Sequence, residues 1–270
     1  MNSLTEEELD TLPLKEQVQR MDEFLLQSQQ ERYGDLPFIE PISLTSALIN
    51  SKTVMQRSEI EIRKIAYLAF SYLTQLELSS ISSGFANRIL YTESYKPSAW
   101  KSPTFRLRDG VISQYQIVCS RIAFEIFIDL LYTIETGNRL TSKKSKLKVF
   151  RKWLRDVNNK FHYFAHVLLI AYKFDREIRT PEVHGSSRLP RRLLLLQEPS
   201  FEESNQQFRL TNTLLNIWRP LIDILNDIRP TYMQMSQADE EWFAAYMSGD
   251  NEAIEAKLDE MLNNIDNDGA

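Results

Sequence analysis

Residues 110–136 read GVISQYQIVCSRIAFEIFIDLLYTIET. Apolar residues recur there at spacings of three and four. Tyr115, Val118, Cys119, Ile122, Ile126, Leu130 and Ile134 fall on one continuous stripe, the period of an α-helix with a face turned to a core. Gly137-Asn138 follows directly, a good helix stop because glycine accepts the left-handed conformation of a C-terminal cap. Arg121, Glu125 and Asp129 recur on another face. They read either as a solvated face with one ion pair, or with Glu125 or Asp129 lining a groove.

The same periodicity extends outward. Upstream, residues 53–78 predict an amphipathic helix, with Ile62, Ile65, Ala66, Ala69, Tyr72, Leu73 and Leu76 on one side. Ser79, Ser80, Ser82, Ser83 and Gly84 are expected to loosen it, and residues 92–109, with Pro97 and Pro103, to form a loop. Residues 5–33 predict a polar helix capped by Thr5, with Leu14, Val18, Met21 and Leu25 as a narrow docking stripe. A connector with Pro37 and Pro41 follows at 34–43.

Downstream, Ser142 can cap a helix running to about 177. Phe150, Trp153, Leu154, Val157, Phe161, Phe164, Leu168 and Tyr172 are its expected buried face. Residues 204–228 predict another, which Pro220 kinks or divides. Residues 239–268 hold ten acids and one Lys among aromatic and aliphatic anchors, and read as two short acidic helices. The expected fold is all-α: an antiparallel helical bundle with N- and C-terminal helical extensions, divided as 1–45, 46–230 and 231–270.

Composition bounds what such a bundle can be. The chain has 270 residues, 43% of them hydrophobic, with only 7 Gly and 10 Pro. That supplies a core and argues against a loop-rich β protein or extensive disorder. A formal net charge of −5 gives no global case for nucleic-acid binding. The single Cys119 excludes an internal disulfide and reads as a core thiol. The first residues are acidic where a signal peptide is basic, and no apolar run approaches a membrane span. A cytoplasmic protein is expected, with no membrane partner.

No phosphate-binding glycine loop, Gly-x-Ser-x-Gly elbow, zinc-type cysteine pair or paired Glu-x-x-His motif occurs. The three histidines, His162, His166 and His184, therefore carry the search. On a continuous helix Arg155, Asn159, His162 and His166 would share a face. That stripe reads as a hydrogen-bonded polar seam, an active-site face, or a metal site using His162 and His166 with a remote carboxylate.

The second candidate is Arg179-Thr180-Pro181-Glu182-Val183-His184-Gly185. Thr180 suits an N-cap, Pro181 the first helical position and Glu182 the first turn. A helix start there would offer free N–H groups to an anion, flanked by Arg179 and His184. Arg188, Arg191 and Arg192 follow. Residues 139–155 hold eight Lys or Arg and no acid, so Lys143, Lys144 and Lys148 could track phosphates. Arginine supplies a forked phosphate contact, and histidine moves protons near neutral pH. Together they suit phosphodiester cleavage without metal or cofactor.

An Arg, four to six residues, then a His at a junction of bundle helices resembles the signature of the HEPN superfamily, over about residues 110–228. His184-Gly185 is similar to the His-Gly ending of many members. Two registers fit: Arg179-x4-His184, which is favoured, and Arg155-x6-His162, where Asp156 matches the polar residue that often follows the family arginine. Thr180 departs from the pattern at that position. The resemblance implies a metal-independent RNase, at work in stress response or defence, with His184 as general acid or base and Arg179 on the phosphorane. It also implies a homodimer that completes the site, with RNA as substrate. A non-catalytic helical module, docking a protein partner through its terminal helices, is the alternative. On a straight helix the two pairs would lie roughly 25 Å apart.

Overall fold

The computed structural model describes residues 9, 11–33, 44–91, 103–140, 146, 149, 152, 153, 156, 158–164, 214, 217–228 and 256. Among them there is no strand, and the protein is all-α. The axis of the bundle is a pair of long helices, α3 (Glu59–Tyr91) and α4 (Pro103–Thr136). They are antiparallel: Arg57, just before α3, reaches the carbonyls of Ile134 and Glu135 at the end of α4. Further along, the hydroxyls of Ser79 and Ser120 lie 2.9 Å apart in the interior. Each helix outruns its predicted bounds at one end, while α3 starts later than the predicted residue 53, because Val54–Gln56 form a separate 3-10 turn before it. The Ser79–Gly84 stretch stays helical within α3, because serine weakens a helix only slightly when its face is packed. Residues 103–109, expected as loop, form the first turns of α4. Pro103 stands at its first position, where a missing N–H costs nothing.

Ser58 and Glu61 build a capping box at the start of α3. The Glu61 carboxylate accepts from the Ser58 N–H at 2.9 Å and from its hydroxyl at 2.7 Å. These bonds hold the Glu61 carboxyl below its ordinary range. Gly137 ends α4 with φ +74° and its N–H on Thr133 O at 2.8 Å. The expected stop is therefore present, and an added Cβ there would meet Glu61 Oε1 at 1.9 Å.

The apolar stripe predicted for α4 is only half buried. Cys119, Leu130 and Ile134 face the core, but Tyr115, Val118 and Ile122 are 47, 39 and 40% exposed. The face that packs carries Ala123, Phe124, Phe127, Ile128 and Leu131 instead. A helix apolar on most sides offers more than one stripe at the same period, and the larger aromatic one wins the core.

Helix α1 (Leu14–Tyr33) lies parallel along α3. Val18 and Met21 pack on Ala66, the rings of Phe24 and Phe70 meet edge to face at 5.9 Å, and the Ser28 hydroxyl bonds Glu77. The docking stripe on this helix is as the sequence suggests. Asp22 of α1 caps the short α2 (Leu44–Ile49), accepting from the backbone of Thr45 and Ser46 at 3.0 Å each.

Helix α5 (Trp218–Leu225) closes the core. Pro220 sits in its first turn, where its missing N–H costs little; residues 204–213, 215 and 216 of the predicted 204–228 helix lie outside the described residues. Trp218 stacks on Tyr72 at 5.8 Å, and the Tyr72 hydroxyl donates to Leu214 O. Asp227 has φ +58°, with its N–H on Ile224 O and that of Ile228 on Asp223 O, a Schellman ending. Lys52 pairs with Asp227, and Thr53 gives both N–H and hydroxyl to Leu225 O. These contacts tie the chain before α3 to the negative end of α5.

Candidate functional site

Of the predicted site residues only His162 is among those described. Arg179, Thr180, His184, Arg188, Arg191, Arg192, Lys143, Lys144, Lys148, Arg155 and His166 lie outside the described residues.

The helix expected to run unbroken from about 146 to 177 is interrupted at His162. Residues 152 and 153 are helical, 156 is not, 158 and 159 turn, and Lys160–Phe164 is a short 3-10 helix. The break is written in side chains that compete with the helix. Asp156 Oδ1 accepts from the Asn158 N–H at 3.2 Å, and Asn159 Oδ1 from that of Phe161 at 2.8 Å. Apolar periodicity concealed this, because Trp153, Phe161 and Phe164 are fully buried, as expected, on either side of the turn. Asn159 and His162 therefore do not lie on one straight helix with Trp153; Arg155 and His166 lie outside the described residues.

His162 is 1% exposed, with Nδ1 3.0 Å from the Trp153 carbonyl. A carbonyl only accepts, so Nδ1 carries the proton. Burial pulls the imidazole pKa down, against the Trp153 bond and the Asp156 charge. That direction favours the neutral ring. Among the described residues no group of three or more His, Cys, Asp or Glu converges to hold a metal.

Beside it stands a residue that the sequence reading passed over. Glu135 receives the Trp153 indole N–H on one oxygen and the Asn159 amide on the other, both at 3.2 Å. Its backbone carbonyl and that of Ile134 accept from Arg57 Nη2 at 2.6 and 2.7 Å. An acid in the last turn of a helix opposes the dipole, and that local misfit was the available signal. Nearby, packing and the Arg57 charge pull the Lys160 pKa down, against Glu135 and Asp227.

Comparison with protein-family models, curated proteins and solved structures finds no match.

The Arg121, Glu125 and Asp129 face is not a freely solvated one. Glu125 is half-buried between Arg121 at 3.1 Å and Lys146 at 3.8 Å. Asp129 is buried, accepting from the Leu140 N–H at 2.8 Å and from Arg139. Arg139 thereby stands at the edge of an open groove of about 490 Å³ running along α3. Ile60, Leu68 and Ile126 give it an aliphatic lining, and Arg63, Lys64, Tyr67 and Ser71 of α3 line it as well. No helix among the described residues is long and apolar enough to cross a membrane.

Proposed function

We propose that the chain is a metal-independent endoribonuclease of HEPN type, with Arg179 and His184 as its catalytic pair. Two things support the reading. The Arg-x4-His pattern follows an amphipathic segment, and the fold that carries it is all-α. The burial of His162 is what favours the first register over the second. An imidazole 1% exposed and bonded to Trp153 O has no route to a ribose hydroxyl, so Arg155–His162 is read as structural. In the proposed reaction the 2′-oxygen of RNA bonds to phosphorus as the P–O5′ bond breaks. A base takes the 2′-proton, an acid protonates the leaving 5′-oxygen, and His184 serves one of these roles. Arg179 neutralises the charge gathered on the phosphoryl oxygens.

The test is RNA cleavage by the full chain in EDTA. His184→Ala should lower the rate by about a hundredfold or more, Arg179→Ala similarly, and His162→Asn far less once thermal stability is matched. Wild-type protein that leaves RNA intact, as monomer and as dimer, overturns the reading.

One observation favours a second reading, an assembly module without chemistry. Tyr115, Val118 and Ile122 stand exposed on successive turns of α4, an apolar row of the kind that seats a second copy. On that reading Ile122→Glu changes the sedimentation mass and His184→Ala changes nothing.

A further inference from the structure

We propose that the groove between α3 and Arg139 is a nucleotide site, an inference independent of whether Arg179 and His184 are catalytic. Its chemistry has two halves. One half is aliphatic, lined by Ile60, Leu68 and Ile126, with Ile60 69% exposed. The rim is cationic, and none of the described lining residues is acidic.

The cations differ in availability. Arg63 is engaged by Glu59 at 2.7 Å and Leu12 O at 3.1 Å. Lys64 is exposed on the next position of the helix. Arg139 is 60% exposed, yet the Asp129 carboxylate beneath it takes its Nε and Nη2 edge. That leaves the Nη1 edge of a guanidinium already fixed in orientation. A fixed fork lining the same groove as an exposed ammonium suits a phosphoryl group. Holding the arginine from behind reduces the entropy lost on binding.

The remaining space selects the body attached to that phosphate. A volume of about 490 Å³ lies within the range of small-ligand sites. The groove is open along one side, so an acyl chain would keep one side wet. A planar base can instead lie with one face on Ile60 and Ile126, one edge beside Tyr67, and its polar edges in water. The ligand class is therefore a phosphate-bearing nucleotide, free or at the end of an RNA strand.

Ligand-observed NMR and calorimetry on the full chain test this, with AMP, adenosine, decanoate and a 5′-phosphorylated hexa-adenylate as probes. AMP should bind about tenfold or more tighter than adenosine, the effect of one or two charge-assisted contacts. Lys64→Gln should weaken AMP by roughly three- to tenfold at unchanged Tm. Arg139→Gln should weaken it further but also disturbs Asp129, so Lys64→Gln is the decisive variant. His184→Ala should leave AMP binding intact, which separates this site from the proposed catalytic one. A hexanucleotide that binds tighter than AMP and loses affinity in Lys64→Gln identifies RNA as the source. Preference for AMP identifies a free nucleotide. Equal binding of adenosine and AMP, tighter binding of decanoate, no binding at millimolar AMP, or indifference to Lys64→Gln each overturns the proposal.

Discussion

Arg139 closes over Asp129: the carboxylate is 3% exposed, the arginine 60%, with Nη2 at 3.0 Å and Nε at 3.2 Å. The pair joins the interior of α4 to the chain just past its Gly137 stop. Because the carboxylate is buried, the two partners are not equivalent under mutation. Arg139→Ala leaves a buried charge with the Leu140 N–H as its remaining bond among those described here. The expected loss is roughly 2 kcal/mol, below the ~3–5 kcal/mol of a fully buried pair, because water can reach the vacated side. Asp129→Asn retains an acceptor for Leu140 and should cost about 1 kcal/mol. Urea unfolding of both variants checks the order. A larger loss from Asp129→Asn than from Arg139→Ala contradicts it.

Protonation of His162 couples folding to acid. Its folded pKa lies below the ordinary 6.5. The unfolded chain therefore takes up the proton first as pH falls, and stability drops through that interval. The contribution is fully present above pH 6.5 and is lost downward toward the depressed folded value. His162→Asn, whose amide can still donate toward Trp153 O, should be less stable at pH 8 by about 1–2 kcal/mol. It should also lack this part of the acid slope. A wild-type and variant pair with parallel stability curves from pH 8 to pH 5 would falsify the coupling.

Gly137 is held by two constraints at once. Its φ of +74° disfavours any side chain, and an added Cβ would sit 1.9 Å from Glu61 Oε1. Gly137→Ala should cost roughly 1–2 kcal/mol from backbone conformation alone. Displacement of the Glu61 carboxylate from Ser58 adds to this. Removing that carboxylate first relieves the clash, so Glu61→Ala with Gly137→Ala should cost less than the sum of the two single changes. Strict additivity in the cycle would show that the contact does not matter.

How far the sequence could be read follows from which forces leave a periodic trace. The stripes of α1 and α3 and the Gly137 stop were legible, because burial period and backbone chemistry are local. The exposed row Tyr115, Val118 and Ile122 was misassigned, because both sides of α4 are apolar and only tertiary packing selects one. The turn at Asn158 and Asn159 was hidden by Trp153, Phe161 and Phe164, which satisfy helical spacing while packing from either side of it. Asp22 capping α2 and Glu135 gripping Trp153 and Asn159 join residues far apart in the chain, which periodicity does not register. Of the Arg/His candidates, His162 is the one that burial places, and its burial follows from that unread turn.

The Arg57 contacts should control the His162 environment from a distance. Arg57 fixes the carbonyls of Ile134 and Glu135, and the Glu135 carboxylate holds Trp153 and Asn159, which flank the turn presenting His162. Arg57→Lys offers a single ammonium in place of the fork, so the last turn of α4 should fray, at a cost of about 1–2 kcal/mol. Fraying frees Glu135, loosens the Trp153 indole and lets water reach the imidazole. The His162 titration, followed by NMR, should then move up toward 6.5, because burial is the main cause of its depression. Hydrogen exchange at the end of α4 should quicken in parallel. If exchange quickens while the His162 titration stays in place, the Glu135 link is not the route, and the ring is held by the core aromatics alone.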